Sequence, residues 1–378
     1  MTETTARGTR SDLVAGAGLV PTLRAARTTA TDLWNDSVDP VELAASIAIG
    51  AVGATCNPVI ALATLRKHAD VWEPRLREIA RCNPTASNAE IGWFAVEELS
   101  IDAAGLLEDA FAEHHGRNGR VSVQTDPRLF RDAEALVAQA EHLAGLAPNI
   151  IVKIPATRVG IEAIREATFR GVSVNATVSF TVAQAVAVGE AVEDGLARRE
   201  AGGFDVSTMG PVCTIMGGRL DDWLRVSAAQ SGILIDPGYY EWAGVAALKK
   251  AYQIFVKRGM RTRILSAAFR NHMQWSELIG GDLVVSPPFD WQRRINENNF
   301  AADSRIDVSV DERIVNTLYD RLPEFRRAYD DHGMSVDEFE SFGATRRTLR
   351  QFLQAMTELE TYVLDVLVPD PDRPVPVS

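Results

Sequence analysis

The stretch NIIVKIPAT, residues 149–157, is a short apolar run with a lysine at its centre. Two isoleucines and a valine precede Lys153, and an Ile-Pro pair follows it. Runs of β-branched residues bounded by turn residues predict buried β-strands. The chain contains 39 lysine and arginine residues, of which only five are lysines. A lysine inside a predicted strand therefore requires a specific explanation.

Further runs of this type alternate with amphipathic helical stretches along the whole chain. The eight predicted strands cover residues 30–36, 51–57, 121–126, 150–157, 172–180, 212–218, 263–269 and 283–288. Between them, stretches such as 131–146 and 181–200 repeat apolar residues at helical spacing. This alternation is typical of parallel βαβ units. Eight such strands predict an α/β fold with a single (β/α)8 TIM barrel.

The barrel prediction divides the chain into four parts. Residues 31–300 form the barrel. Within it, residues 58–120 are longer than a single crossover connection needs, which predicts an extra segment of two or three helices after strand 2. Residues 1–30 are expected to be a weakly ordered N-terminal extension, since termini without docking contacts usually are. Residues 301–368 are helical and are expected to pack on the barrel, and 369–378 form a flexible tail.

Composition excludes several classes of function. The net charge of −12 argues against nucleic acid or an anionic membrane as a partner. No apolar run approaches the ~20 residues of a membrane span, and the N-terminus lacks a secretion signal pattern. The three cysteines have no metal-ligand spacing, and their odd number fits reduced thiols in the cytoplasm. Without an HExxH, P-loop or GxGxxG motif, a catalytic metal or a nucleotide cofactor has no support.

Polar side chains stand at the C-terminal ends of nearly all predicted strands, where the active sites of such barrels lie. In chain order they are Asp36, Asn57, Gln124, Lys153, Asn175, Thr177, Thr214, Arg219, Ser266, Arg270 and Ser286. A purely structural barrel would not need polar residues to converge on one rim. This convergence predicts an enzyme.

Lys153 has two interpretations at this stage. Burial lowers the pKa of a lysine, and a neutral amine can attack a carbonyl to form a Schiff base. The protonated imine then acts as an electron sink for breaking or forming a carbon–carbon bond. Alternatively, the lysine is structural and either reaches the surface or pairs with a carboxylate.

Arg219, in MGGRLDDW, and Arg270, in SAAFRN, each follow a strand end beside small residues. The forked donors of a guanidinium suit a phosphate group. The alternative is that each arginine pairs with nearby acids, which for Arg219 would be Asp221 and Asp222. The residues alone leave the phosphate-binding and the ion-pair interpretations of these arginines open.

Taken together, these motifs resemble the transaldolases, Schiff-base enzymes on a (β/α)8 barrel that move a dihydroxyacetone unit between sugar phosphates. The resemblance extends from about residue 31 to about residue 367. It is carried in order by DLWNDS, GAVGATCNP with its Thr-x-Asn-Pro turn, VSVQTDPRL, NIIVKIPAT, VSVNATVSF, TIMGGRLDDW, SAAFRN and the C-terminal helix within 334–367.

The resemblance implies a role for each matching residue. Lys153 would form the Schiff base, Asp36 would handle the proton of the donor's C4 hydroxyl, and Thr177 would hold the catalytic water. The implied substrate-binding residues are Asn57 and Asn175 for the donor hydroxyls, Thr214 in place of a serine, Arg219 and Arg270 for the phosphate, and Ser266 nearby. No cofactor is implied.

Three positions depart from the family pattern. Gln124 replaces the usual carboxylate of VS-x-E-V-D, and a glutamine can orient the catalytic water but cannot exchange protons with it. The related fructose-6-phosphate aldolases carry glutamine there and run reversible aldol chemistry. Ala268 stands where a phosphate-side serine is common, and Met216 where an aromatic ring usually lies.

The sequence thus predicts a transaldolase-like enzyme with a phosphorylated ketose donor and an aldose acceptor. A fructose-6-phosphate-aldolase-like lyase is the alternative that Gln124 favours. A sugar-phosphate-binding protein without turnover is a third interpretation, against which the retained lysine argues. The helical surface within 301–367 offers a contact for a homodimer.

Overall fold

The eight predicted strands all form and close into one parallel barrel. The computed structural model describes residues 19–372. Neighbouring strands pair in sequence order, and the eighth pairs with the first. The strands are β1 Asp32–Asn35, β2 Ala51–Thr55, β3 Arg120–Gln124, β4 Ile150–Pro155, β5 Val174–Ser179, β6 Val212–Ile215, β7 Arg263–Ser266 and β8 Val284–Val285. The prediction of a (β/α)8 barrel is confirmed.

Helices follow the strands on the outside of the barrel. Within residues 19–372 they are α1 Pro21–Thr28, α2 Pro40–Ala48, α3 Pro58–Lys67, α4 Ala69–Cys82, α5 Asn88–Gly105, α6 Glu108–Glu113, α7 Ala133–Ala144, α8 Arg158–Phe169, α9 Val182–Ala201, α10 Gly217–Gln230, α11 Tyr240–Arg258, α12 Met273–Ser276, α13 Phe289–Glu297, α14 Glu312–Arg321, α15 Pro323–Tyr329 and α16 Gly343–Leu367.

The segment after β2 holds four helices, α3 to α6, instead of the two or three predicted. The additional break falls at His68, whose non-helical backbone (φ −113°, ψ 43°) separates α3 from α4. A second break follows α4, and Ser87 then starts α5 with a capping box to Glu90. A single non-helical residue such as His68 leaves almost no trace in the apolar periodicity.

The N-terminal extension differs from the expected weak order in the part that is described. Helix α1 packs against α13, and Ala25 is buried. Thr22 exchanges two hydrogen bonds with Asn296, one from its backbone N–H and one to its hydroxyl, both 3.0 Å. These docking contacts order the helix. Residues 1–18, and residues 373–378 of the predicted tail, lie outside the described range.

Helix α16 joins opposite sides of the barrel. It contacts α3, α4 and α5, which follow β2, and α10, which follows β6, and it also reaches β5. Its buried residues repeat at helical spacing, as in Leu349, Phe352, Met356, Leu359 and Val363. Side chains of α16 therefore lie next to those at the barrel mouth.

The interior of the barrel has an apolar layer that is separate from the main core between strands and helices. Its members are Trp34, Ile151, Val212, Leu265, Ala267 and Val284. The Trp34 ring fits because residue 53 is glycine, where a Cβ would lie 2.5 Å from the ring. Side chains alternate along a strand. Residues two positions after this layer, such as Lys153, therefore point into the barrel mouth.

Candidate active site

Lys153 lies near the middle of β4 and is only 4% exposed. Within residues 19–372, no hydrogen bond or ion pair holds its amine. Burial lowers the pKa of Lys153, and the positive charge of Arg219 acts in the same direction, whereas Asp36 and Cys56 oppose the shift. A lysine that neither reaches the surface nor pairs with a carboxylate does not fit the structural interpretation.

Asp36 follows β1 and faces the lysine across the barrel mouth, close enough to influence its charge. The hydroxyl of Thr55 donates a 2.5 Å hydrogen bond to Oδ1 of Asp36. Sequence reasoning did not assign Thr55 a role, although it is the threonine of the Thr-x-Asn-Pro turn. Thr55 therefore orients the carboxylate and leaves its other oxygen available.

Asn57, two residues after β2, and Gln124, the last residue of β3, offer complementary groups. Oδ1 of Asn57 caps α3 by accepting from two backbone N–H groups, at 2.9 and 3.1 Å, so only its amide donors remain available. Gln124 is in register with Lys153 on the neighbouring strand. Its Oε1 is buried without a hydrogen-bond partner, which leaves an acceptor for water or substrate.

Asn175 sits at the same level as Lys153 on β5. It donates to the Ser122 hydroxyl at 2.9 Å and accepts from the Thr214 hydroxyl at 2.8 Å. One amide N–H of Asn175 thus remains for a ligand, and Thr214 acts mainly by orienting that amide. Ser122 was missed, although it lies two positions before Gln124 on the same face of β3.

Thr177 is two residues beyond Asn175 and is fully buried. Its hydroxyl donates only to the sulfur of Met216, at 4.0 Å, within residues 19–372. A thioether is a weak acceptor, so the Thr177 hydroxyl can exchange this contact for water or substrate.

Ser266 is not brought into the site, contrary to the expected substrate contact. Leu265 and Ala267 on either side belong to the interior layer, whereas Ile264 belongs to the core outside the barrel. Strand alternation therefore turns Ser266 toward the helices. Ser286, two positions after the interior Val284, points into the mouth instead, and its buried hydroxyl has no partner.

Three arginines converge at the edge of the barrel mouth. A cavity of about 360 Å³ is lined by Arg219, Asp222, Arg270, Ala344, Arg347, Thr348 and Gln351. Nη1 of Arg219 donates to Gln351 at 2.6 Å and to Thr348 at 3.2 Å, both on α16. Burial and the nearby Arg270 lower the pKa of Arg219 to about 10, so it remains charged at neutral pH.

Of the two acidic residues near these arginines, only one contacts a guanidinium group. Asp222 accepts a 3.0 Å hydrogen bond from Nε of Arg270, whereas Asp221 is buried and contacts neither guanidinium. Sequence reasoning missed Arg347 because it lies 128 positions after Arg219 and reaches the cavity only through α16. The only sequence signal for it is the Arg-Arg pair near the start of that helix. Three positive charges against one negative charge make this cavity suited to an anion.

A family model described as transaldolase/fructose-6-phosphate aldolase matches residues 33–361. This chain belongs to that family. The match runs from β1 into the last turns of α16, so it includes the barrel, the rim residues and the helix that crosses them.

Curated relatives within the transaldolase/fructose-6-phosphate aldolase family include bacterial proteins named transaldolase. Transaldolase 1 of Streptomyces avermitilis is 32% identical over 206 residues, which is 54% of each chain. The transaldolase of Thiobacillus denitrificans is 34% identical over 214 residues, 55% of this chain and 58% of its own length. The chain thus spans little more than half the length of these relatives. The Parafrankia sp. transaldolase matches a longer part of the chain. It is 28% identical over 323 residues, which is 84% of this chain and 81% of its own length.

The described residues contain neither a candidate metal site nor a candidate membrane span. Within residues 19–372, no group of three or more His, Cys, Asp or Glu side chains could hold a metal ion. In the same part of the chain, no helix has both the length and the apolar character needed to cross a membrane.

Proposed function

We propose that this chain is a transaldolase-like enzyme that transfers a dihydroxyacetone unit between sugar phosphates through a Schiff base on Lys153. The observation that carries the proposal is the buried, unpaired amine of Lys153 beside Asp36. A buried amine without a partner is unfavourable for folding, and nucleophilic catalysis supplies a reason to keep it. The family membership supports the same chemistry.

The cycle begins when the neutral amine adds to the ketose carbonyl; loss of water and uptake of one proton from solvent then give a protonated imine. Asp36 takes the proton of the C4 hydroxyl while the C3–C4 bond breaks, and the bonding electrons move into the imine to form an enamine. The aldehyde half leaves. The enamine carbon then attacks the acceptor aldehyde, the new alkoxide takes the proton back, and water hydrolyses the imine to free Lys153.

The remaining rim residues bind and orient the substrate. The free amide N–H groups of Asn57 and Asn175 suit the donor hydroxyls, and Gln124 with Thr177 suits the hydrolytic water. The phosphate would lie among Arg219, Arg270 and Arg347, whose cavity borders the mouth.

A fructose-6-phosphate-aldolase-like lyase is the second candidate, and Gln124 favours it. An amide can orient the water but cannot carry its proton. The substitution Gln124→Glu separates the two: a large gain in transfer would indicate a transaldolase scaffold with altered proton chemistry. No gain, with Lys153 still reactive, would favour the lyase.

Location and assembly are also proposals. Cys56, Cys82 and Cys213 form no disulfide, which supports a cytoplasmic protein. We propose the helical surface within residues 301–367 as the contact of a homodimer.

The test is borohydride trapping with fructose 6-phosphate and with dihydroxyacetone, read by intact mass and peptide mapping. We expect a reduced adduct on Lys153 with both donors and none in Lys153→Met. A folded protein that gives no adduct with either compound would overturn the assigned donor. The absence of an adduct across a broad panel of ketoses would overturn the Schiff-base mechanism.

A further inference from the structure

Gln274, on α12, lies directly behind the turn that carries Arg270. Its side chain is fully buried. Oε1 accepts from the backbone N–H of Arg270 at 2.5 Å and more weakly from that of Asn271 at 3.4 Å. On its other side, Nε2 donates to Oδ2 of Asp221 on α10 at 3.0 Å. A continuous chain of hydrogen bonds therefore connects α10 to the backbone of Arg270.

Asp221 is itself held in place. It is 1% exposed, and its Oδ1 accepts from the backbone N–H of Gly244 on α11 at 2.8 Å. Burial raises the pKa of Asp221 to about 8. This carboxyl group contacts neither the Arg219 nor the Arg270 side chain. It can therefore act on the cavity only through its hydrogen bonds with Gly244 and Gln274.

The turn before Arg270 needs such support. Ala268 adopts φ +62°, a left-handed conformation that is unfavourable for a residue with a side chain. The turn also lies against the start of α10, because a Cβ at Gly218 would lie 2.0 Å from the carbonyl oxygen of Ala268 and 2.6 Å from Cγ of Arg270. The backbones that carry Arg219 and Arg270 are thus in direct contact.

Helix α10 consequently holds Arg270 in two independent ways. Asp222 accepts from its guanidinium at 3.0 Å, and Asp221 holds its backbone through Gln274. Arg219 belongs to the same helix. Recognition of a phosphate by two guanidinium groups depends on their separation, and errors of about 1 Å weaken such sites strongly.

We propose that Gln274, backed by Asp221, is a positioning residue for phosphate recognition, which fixes Arg270 relative to Arg219 and so sets the affinity for phosphorylated over non-phosphorylated ketoses. This inference rests on the proposed function. Gln274 does not touch the substrate. Its amide is required because the Arg270 N–H needs an acceptor while Oδ2 of Asp221 accepts a hydrogen bond from the other side, and an amide supplies both groups.

The test compares two donors at the same catalytic lysine. The half-saturating concentrations of fructose 6-phosphate and of dihydroxyacetone for trapping Lys153 are measured in the wild type and in Gln274→Leu. We expect about a tenfold rise or more for fructose 6-phosphate and less than a twofold change for dihydroxyacetone. Equal changes for both donors, or no change for either, would overturn the inference.

A matched control and a rescue make the test specific. Gln139→Leu removes a glutamine that likewise accepts from a backbone N–H, that of Asp126 at 2.7 Å, but after β3. It should affect both donors alike. Asp221→Asn should weaken the binding of fructose 6-phosphate but not that of dihydroxyacetone, because two amide donors then face each other. Asp221→Asn/Gln274→Glu restores a donor and acceptor at each contact and should recover most of the affinity.

Each outcome separates the two proposals. If Gln274→Leu does not fold, Asp221→Asn and its rescue by the double substitution provide the same comparison. A double substitution that is no better than Asp221→Asn overturns the positioning role. Wild-type protein that forms no adduct with either donor overturns the proposed function itself, and this inference with it.

Discussion

The regions around Lys153 and Lys249 contain equally buried lysines, each 4% exposed, in opposite surroundings. Lys249, on α11, donates to Glu277 at 2.9 Å and to the carbonyls of Arg305 and Val308 at 2.9 and 2.6 Å, which satisfies all three N–H groups. Lys153 has none of these contacts. Burial lowers the pKa of both. A satisfied lysine stabilises the segment it holds, whereas an unsatisfied one is available for the Schiff-base chemistry that we propose.

The two ends of the barrel differ in how their charged side chains are paired. At the N-terminal end, Arg263 pairs with Asp32 and donates to Asn118 at 2.9 Å, and Arg120 donates to two backbone carbonyls. At the C-terminal end, the Lys153 amine has no such partner within residues 19–372. Buried polar atoms without partners occur at both ends, such as Oδ1 of Asn149 at the first and Oε1 of Gln124 at the second. Paired charges at one end and an unpaired amine at the other fit the division into a stabilising end and an active-site end that is expected of a (β/α)8 enzyme.

The largest expected effect is that of Lys153→Met. We expect Schiff-base turnover to fall by about 10⁵-fold, because the nucleophile is lost. The free energy of unfolding should stay the same or rise, since an unpaired buried amine is replaced by an apolar chain of similar length. Kinetics and urea unfolding measure both. Strong destabilisation would mean that Lys153 has a structural partner after all.

Lys249→Met should behave in the opposite way. It leaves Glu277 with only Arg305, at 2.7 Å, and removes two carbonyl contacts. We expect a loss of about 3 kcal/mol in unfolding free energy. The kcat/KM of the folded fraction should be unchanged, and a fall comparable to that of Lys153→Met would contradict the division between the two lysines.

Asp32→Asn tests the N-terminal end of the barrel. It removes the charged partner of Arg263, which is buried, so we expect a loss of about 2 kcal/mol in unfolding free energy. Borohydride trapping at Lys153 should not change, because the interior apolar layer lies between. A loss of trapping in fully folded protein would show that the two ends are coupled.

The smallest effect is a pH dependence. Because the pKa of Lys153 is lowered in the folded chain, trapping should accelerate about tenfold per pH unit below that pKa and level off before the ordinary value near 10.4. Between the two pKa values the unfolded chain binds more protons, so the contribution of this group to stability rises with pH. A rate that still climbs above pH 10.4 would rule out the shift.

Local periodicity accounts for what could be predicted. The strand runs and their order were sufficient for the barrel, and the polar residues after them located Asp36, Gln124 and Lys153 at one rim. Ser266 was misassigned because the last polar residue of a run was taken without counting strand parity from Leu265 and Ala267. The order of α1 was missed because its partner Asn296 lies far along the chain.

By itself, then, the sequence determined the barrel and the rim on which the lysine stands, since alternation and helical spacing are local properties of the chain. Only the tertiary structure decided which polar groups are satisfied. Lys153 and Lys249 differ in contacts made by distant segments, Arg347 reaches its cavity through the last helix, and Gln274 meets Asp221 across 53 positions. The partners of a buried group come from the closed fold, and they decide whether it stabilises the protein or reacts.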